Sequence, residues 1–172
     1  VYGDSKNFNE DGECRPMNPY AWSKYMFDRY VTTLDICDKI TLQGFRYFNV
    51  YGSNEEHKGE QASVFTKFKK QAITESKIKL FENSDKYKRD FVCVDDVVNV
   101  HRLMLSKSDS GIFNVGTGTA TSFQRVADLC SNKLGVTIEY IKMPENLKNQ
   151  YQEYTRADNA KINSILDLKW TT

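Results

Sequence analysis

Short apolar runs at residues 41–50, 78–81, 91–94 and 111–115 alternate with stretches in which apolar side chains recur every three to four positions. Runs of that length suit buried strands, and the longer period suits helices with one face turned inward. Strands that alternate with helices pair side by side in the same direction, so the pattern implies an α/β fold with a largely parallel sheet. The first helix is expected from Pro19 to about Asp35. Asn18 is a suitable cap and Pro19 suits the first helical position, while Tyr25, Met26, Tyr30, Val31 and Leu34 recur at the spacing of an amphipathic helix. The run at 41–50 reads as one buried strand carrying Phe45, Tyr47 and Phe48, and it ends on Asn49-Val50-Tyr51-Gly52. A second helix is expected over 62–76 with Val64, Phe65, Phe68 and Ile73 inward, and a third from a cap at Asp95 or Asp96 to Leu105.

Composition narrows the function classes. The 172 residues suffice for one domain, or two small interleaved ones, with a real core. A formal charge of +1, with both signs mixed along the chain, favours neither nucleic acid nor an anionic membrane as partner. No apolar run approaches the ~20 residues that span a bilayer, so a soluble protein is expected. Cys14, Cys37, Cys93 and Cys130 are far apart and only two histidines are present, which supports neither a disulfide framework nor a metal site. A reducing cytoplasm is the expected compartment. The chain opens on Val1-Tyr2-Gly3 without a methionine and stops soon after a turn signal, as an internal piece of a longer protein would.

Two stretches invite a chemical reading. "NVGTGTATSFQRVADL" places a glycine-containing loop between a strand and a helix, but it lacks the third glycine of a dinucleotide fingerprint and the acidic residue that should follow. A capping box of Thr121 and Gln124 accounts for it structurally. "NPYAWSKYMFD" is different: a four-residue offset places Tyr20 and Lys24 on one helix face. A phenol titrates near ~10 and is a poor base at neutral pH unless a positive charge stabilises the phenolate, which is what a lysine one turn away supplies. The pattern also occurs with the tyrosine packed and the lysine solvated. Its position immediately before the 41–50 strand favours the chemical reading, because ligands in doubly wound sheets lie beyond the carboxyl ends of strands.

Four ordered stretches, "PMNPYAWSK", "GFRYFNVYG", "RDFVCVDDV" and "GIFNVGTG", resemble the extended short-chain dehydrogenase/reductase superfamily that modifies nucleotide sugars. "EEHKGEQASV", "KLFENSDKYKRDFV", "TSFQRVADL" and "NQYQEYTRAD" sharpen the resemblance to its ADP-L-glycero-D-manno-heptose 6-epimerase family, over nearly the whole chain. The resemblance implies a partial Rossmann-like, doubly wound parallel sheet over residues 1–48 and 90–118. It implies a small substrate-binding domain over 49–89 and 119–154, interleaved with that sheet, and a return segment over 155–172. It further implies NADP (or NAD) as recycled hydride carrier, ADP-heptose as substrate, lipopolysaccharide core biosynthesis as context and a homo-oligomer in the intact enzyme. Tyr20 and Lys58 would be the two proton-transfer residues, with Lys24, Val50 and Lys58 near the cofactor. Asn49, Glu60, Lys67, Phe81, Glu82, Asn83, Ser84, Arg89 and Tyr151 would meet the nucleotide sugar, Arg89 at its diphosphate. Glu60 and Lys67 stand where relatives carry Ser and His, and Asn83 stands where they carry a glycine. The glycine-rich fingerprint and a catalytic Ser or Thr would precede Val1.

Blander readings stand beside these. Lys58 reads equally as a solvated lysine among Glu55, Glu56 and Glu60, and Arg89 as the partner of Asp85 or Asp90. Phe81 reads as a core aromatic, and Tyr151 as a packed ring with a satisfied hydroxyl. The rival functions are another nucleotide-sugar epimerase or dehydratase and, from a different class, a non-catalytic nucleotide-binding module.

Overall fold

The computed structural model describes residues 1–3, 5, 7–34, 40–148 and 152–171, apart from the side chains of Asn146 and Lys148. In chain order it comprises α1 (Pro19–Thr32), β1 (Gln43–Tyr47), β2 (Asn49–Tyr51), a 3-10 turn (Glu56–Gln61), α2 (Val64–Glu75), β3 (Lys77–Phe81), β4 (Lys88–Cys93) and α3 (Val94–Met104). There follow β5 (Gly111–Val115), β6 (Ala120–Ser122), α4 (Phe123–Leu134), β7 (Thr137–Ile141) and two single-turn helices, α5 (Glu145–Lys148) and α6 (Ala160–Asn163). The fold is α/β with largely parallel pairing. β1 runs beside β5, β2 beside β4 and β3 beside β7, all parallel, and only β4 with β6 is antiparallel.

α1 starts where the sequence places it. Asn18 keeps an extended backbone and its Oδ1 accepts from the Ala21 N–H at 2.8 Å, satisfying one of the donors a helix start leaves open. The helix closes at Thr32, and the expected end at Asp35 falls outside the described residues. The expected amphipathic packing is partial: Tyr25, Val31 and Leu34 are half-buried, Met26 and Tyr30 are exposed, and no residue of α1 is fully buried.

The apolar run at 41–50 is two strands rather than one. β1 pairs with β5 from Gln43 opposite Gly111 to Tyr47 opposite Val115, whereas β2 pairs with β4, Asn49 opposite Phe91. Phe48 is the joint. Its N–H still donates to the Val115 carbonyl at 3.0 Å before the chain crosses to β4. A crossing between two ladders opens a crevice at the strand ends, the usual place for a ligand in such sheets.

Two apolar cores hold the elements. Phe68 and Ala72 of α2 and Val126 and Ala127 of α4 close over Ile78 and Leu80 of β3. Val100 and Met104 of α3 pack with Phe113 and Val115 of β5 and with Ile162 and Leu166. Fully burying an aliphatic or aromatic side chain of this kind contributes roughly 1.5–3 kcal/mol, so these clusters rather than local propensity fix the helices on the strands. Phe68 was among the expected inward residues of α2, and Val64 and Phe65 are partly buried, but Ile73 is 71% exposed. It follows Ala72 by one position, about 100° around the helix and off the inward face.

The helix starts differ from expectation twice more. Cys93, not Asp95 or Asp96, occupies the cap position of α3 and makes no side-chain cap bond, while the Asp96 carboxylate accepts from the Thr171 N–H and hydroxyl. Ser122, not Thr121, caps α4 through the Arg125 N–H at 3.1 Å. Thr121 is engaged opposite Arg89 in the β4–β6 ladder, and Gln124 donates to Asp128 and Tyr140 instead of closing a box.

Candidate active site

Tyr20 and Lys24 lie on one face of α1, and the Lys24 Nζ is 5.3 Å from the centre of the Tyr20 ring. Tyr20 is 72% exposed, so its phenol is open to a ligand. Asp28, one turn further along the same face, accepts from Arg46 Nε of β1 at 2.9 Å, with both side chains largely buried. This pair sets the helix against the strand. The Arg46 guanidinium lies 4.9 Å from the centre of the Tyr2 ring. Burial opposes the charge on Arg46, but Tyr2 and Asp28 outweigh it and its pKa is raised. Burial also pushes the Tyr2 phenol up to about 12, and its O–H donates to Asn114 Oδ1 at 2.6 Å.

Between α1, β1 and the segment at residues 1–3 lies a cleft of about 770 Å³. Tyr20, Lys24, Tyr47, Phe48, Asn49 and Gln152 are among its walls, so the tyrosine–lysine pair and the crossing from β1 to β2 share one space. Val50, next in β2, is half-buried and does not line it.

The other residues singled out in the sequence sit elsewhere. Lys58, on the 3-10 turn, does not line the cleft, and its ammonium pairs with Glu55 Oε1 at 3.1 Å. Glu60 and Lys67 pair with each other at 3.6 Å, with Glu60 fully exposed. Phe81 ends β3 half-buried, and the chain then turns through Glu82, Asn83 and Ser84. Asn83 takes φ 59°, the left-handed conformation that Asn tolerates better than most side chains. Ser84 is buried and its hydroxyl donates to the Phe81 carbonyl at 2.7 Å. Tyr151 lies outside the described residues.

Arg89 is buried in β4. Its guanidinium donates to the Lys88 carbonyl at 2.9 Å and to the Gln152 carbonyl, and lies 5.6 Å from the centre of the Phe123 ring. Gln152 donates in turn to the Gly3 carbonyl at the cleft wall. Arg89 is thus linked to the cleft through Gln152. An aromatic chain also leads to it, with Tyr51 stacked on Phe65 at 4.3 Å, Phe65 edge-on to Phe91 and Phe91 edge-on to Phe123.

Two carboxylates that the sequence offered only as neighbours of Lys58 and Arg89 are buried acceptors. Asp90 accepts from the Thr117 N–H and hydroxyl, the Gly118 N–H and the Ala157 N–H, all within 2.9 Å. The glycine-containing loop therefore wraps an internal carboxylate where a dinucleotide fingerprint would wrap phosphate. Glu55, 4% exposed, accepts from Ser63, Thr66 and Lys58. Burial alone would raise its pKa, but those three partners lower it. The acidic residue inside "RDFV" was the only sequence signal for the first, and for the second the only signal was a glutamate beside Glu56, Lys58 and Glu60.

Parallel strands joined by helices, with a Tyr-x-x-x-Lys helix beside a crossing between ladders, define a Rossmann-like enzyme scaffold. The model of the NAD dependent epimerase/dehydratase family matches residues 1–116, and the chain belongs to that family, within the extended short-chain dehydrogenase/reductase superfamily. Among solved structures, ADP-L-glycero-D-manno-heptose-6-epimerase of Helicobacter pylori is similar at 30% identity and a TM-score of 0.82, covering 96% of this chain and 50% of that one. UDP-glucose 4-epimerase of Thermotoga maritima follows at 26% identity and 0.79, covering 95% and 52%. UDP-N-acetylglucosamine 4-epimerase of Methanobrevibacter ruminantium, at 22% identity and 0.83 over 99% and 55%, shares the fold. The chain spans about half the length of these relatives. Among the described residues no helix is long and apolar enough to cross a membrane.

Proposed function

We propose that this chain provides the sugar side and the proton-transfer residues of a nucleotide-sugar epimerase. In the intact enzyme it would invert carbon six of ADP-D-glycero-D-manno-heptose for lipopolysaccharide core, with NADP as recycled carrier. The observation that carries this reading is the cleft shared by Tyr20, Lys24 and Asn49 at the crossing from β1 to β2. The 30% identity to the Helicobacter pylori heptose epimerase supports the choice of sugar. The proposed division keeps residues 1–48 and 90–118 as part of the cofactor domain and 49–89 with 119–154 as the substrate domain.

The carbon to be inverted is not adjacent to a carbonyl, so its hydrogen is not acidic and the route is transient oxidation. In this reading the nicotinamide end of a dinucleotide lies in the cleft, where the Lys24 ammonium and the Tyr20 phenol stand near the aromatic rings of Tyr47 and Phe48. When bound, the dinucleotide takes up a hydride and returns it. Tyr20 accepts the hydroxyl proton as the carbonyl forms, and Lys24 stabilises the phenolate by its charge. Asn49 orients the sugar from the strand end. After the carbonyl turns over, a second group must serve the oxygen from the other side, and Lys58 is the residue proposed for it. Arg89 is proposed for the diphosphate, where its planar fork matches phosphate oxygens.

A second reading, another NAD(P)-dependent nucleotide-sugar epimerase or dehydratase, gains from the engagement of Lys58 with Glu55, which leaves Tyr20 in the cleft without the second proposed proton-transfer residue. Full-length enzyme offered ADP-heptose and UDP-hexoses in parallel separates the two. With ADP-heptose, Tyr20→Phe and Lys58→Met are each expected to lower kcat about 10²- to 10⁴-fold with the circular-dichroism spectrum unchanged. Full turnover by either variant removes that residue from the mechanism.

A further inference from the structure

Among the described residues, Glu55 is the buried carboxylate tied directly to a proposed proton-transfer residue. Its two oxygens are used differently. Oε2 accepts from the Ser63 hydroxyl and from the Thr66 hydroxyl at 2.9 Å, both at the start of α2, where the helix dipole also favours a negative charge. Oε1 accepts from Lys58 Nζ at 3.1 Å. The hydroxyls of Ser63 and Thr66 both donate to Oε2, so the charge on Glu55 keeps two donors without the lysine. Lys58, by contrast, is half-exposed along its side chain, and its ammonium makes its ion pair with Glu55. The pair therefore serves Lys58 more than Glu55. Beside it, Gly59 takes φ 54° and ψ −122° with open space where a Cβ would stand, a backbone point that can turn without a side chain in the way.

We propose that Glu55 is the positioning residue for Lys58: anchored to α2 by two hydroxyls, it holds the ammonium on the 3-10 turn, outside the cleft of Tyr20, and releases it when substrate closes the site. The proposal rests on the reading of Lys58 as a proton-transfer group. After release Oε2 keeps its two hydroxyl donors, and Oε1 gives up Lys58.

The test is amine acylation of the full-length enzyme by acetic anhydride, read site by site by mass spectrometry. In Glu55→Gln, Lys58 is expected to react about two- to five-fold faster, the range for an ion pair with one half-exposed member, while Lys67, paired with Glu60, keeps its rate. Lys58→Met is expected to leave Tm within about 2 °C, since Ser63 and Thr66 still hold the carboxylate. An unchanged Lys58 rate in a folded Glu55→Gln overturns the proposal. A loss of Tm in Lys58→Met beyond about 5 °C also overturns it, because the pair would then be a brace of the fold, and that result stands even where Glu55→Gln fails to fold. In full-length enzyme Glu55→Gln is expected to lower kcat about ten-fold with KM for the nucleotide sugar within about two-fold. Faster acylation beside an unchanged kcat refutes the catalytic reading of Lys58 and leaves its retention by Glu55 standing.

Discussion

Replacing Asp90 by Asn keeps the shape of the most enclosed carboxylate among the described residues and alters its charge and hydrogen-bond chemistry. Asp90 is 0% exposed. Oδ1 accepts from the Thr117 N–H at 2.8 Å and its hydroxyl at 2.7 Å, and Oδ2 accepts from Gly118 at 2.8 Å and Ala157 at 2.9 Å. An amide keeps one oxygen, so one of these pairs of donors must face an NH₂ group. The cheaper orientation turns the NH₂ toward Thr117, whose hydroxyl can rotate to accept, and strands only the Thr117 N–H. A stranded buried donor costs about 1–3 kcal/mol, and losing the charge from the remaining bonds adds on the order of 1 kcal/mol. About 3 kcal/mol is therefore expected, a large share of the ~5–15 kcal/mol of a typical domain. Urea unfolding followed by circular dichroism should show the midpoint falling by about 1–2 M at an m-value near 2 kcal/mol/M. A shift worth less than about 0.5 kcal/mol would refute the claim that this carboxylate ties the loop at 116–118 and the segment at Ala157 to β4.

The core and the basic limb offer two further measurements. Phe68→Ala empties the centre of the α2–α4–β3 cluster and is expected to cost about 3–5 kcal/mol, or a Tm lower by roughly 10 °C in a scan; a cost under 1 kcal/mol would mean that α2 is not seated on that cluster. Tyr2, raised from 10.0 to about 12, binds its proton more tightly folded than unfolded. Its contribution is complete below pH 10 and is lost as pH rises toward 12, up to about 2–3 kcal/mol. Urea midpoints taken from pH 9 to 12 should fall more steeply for the natural chain than for Tyr2→Phe, and parallel curves would contradict the assignment.

What the sequence made legible is local. Asn18 and Pro19 start α1 because a cap needs only its own helix, and the strand at 111–115 has the expected bounds because turn residues flank it. The same holds for Tyr20 and Lys24, whose common face follows from helix geometry alone. What stayed hidden depends on partners far along the chain. The run at 41–50 looks uniform, and only the positions of β4 and β5 divide it at Phe48. Thr121 and Ser122 are equally good caps on paper, but the ladder to Arg89 removes the first. β7 was not anticipated, since Glu139 and the exposed Tyr140 interrupt its apolar alternation.

The placement of the proposed chemistry belongs to the hidden part. α1 fully buries none of its residues, and the half-buried Tyr25 and Val31 alone leave the angle at which it presents Tyr20 weakly fixed. The pair between Asp28 and Arg46 fixes it instead, and the pair is itself held by the Tyr2 ring beneath the guanidinium. A charged pair shielded from water fixes direction as well as distance, because its hydrogen bond weakens steeply off axis. An apolar contact is non-directional and would tolerate a rotated helix. Tyr20 and Asn49 can therefore face one cleft although their elements share little apolar contact. The sequence displays the tyrosine and the lysine, while the residues that aim them, Asp28 and Arg46, read there as ordinary surface charges.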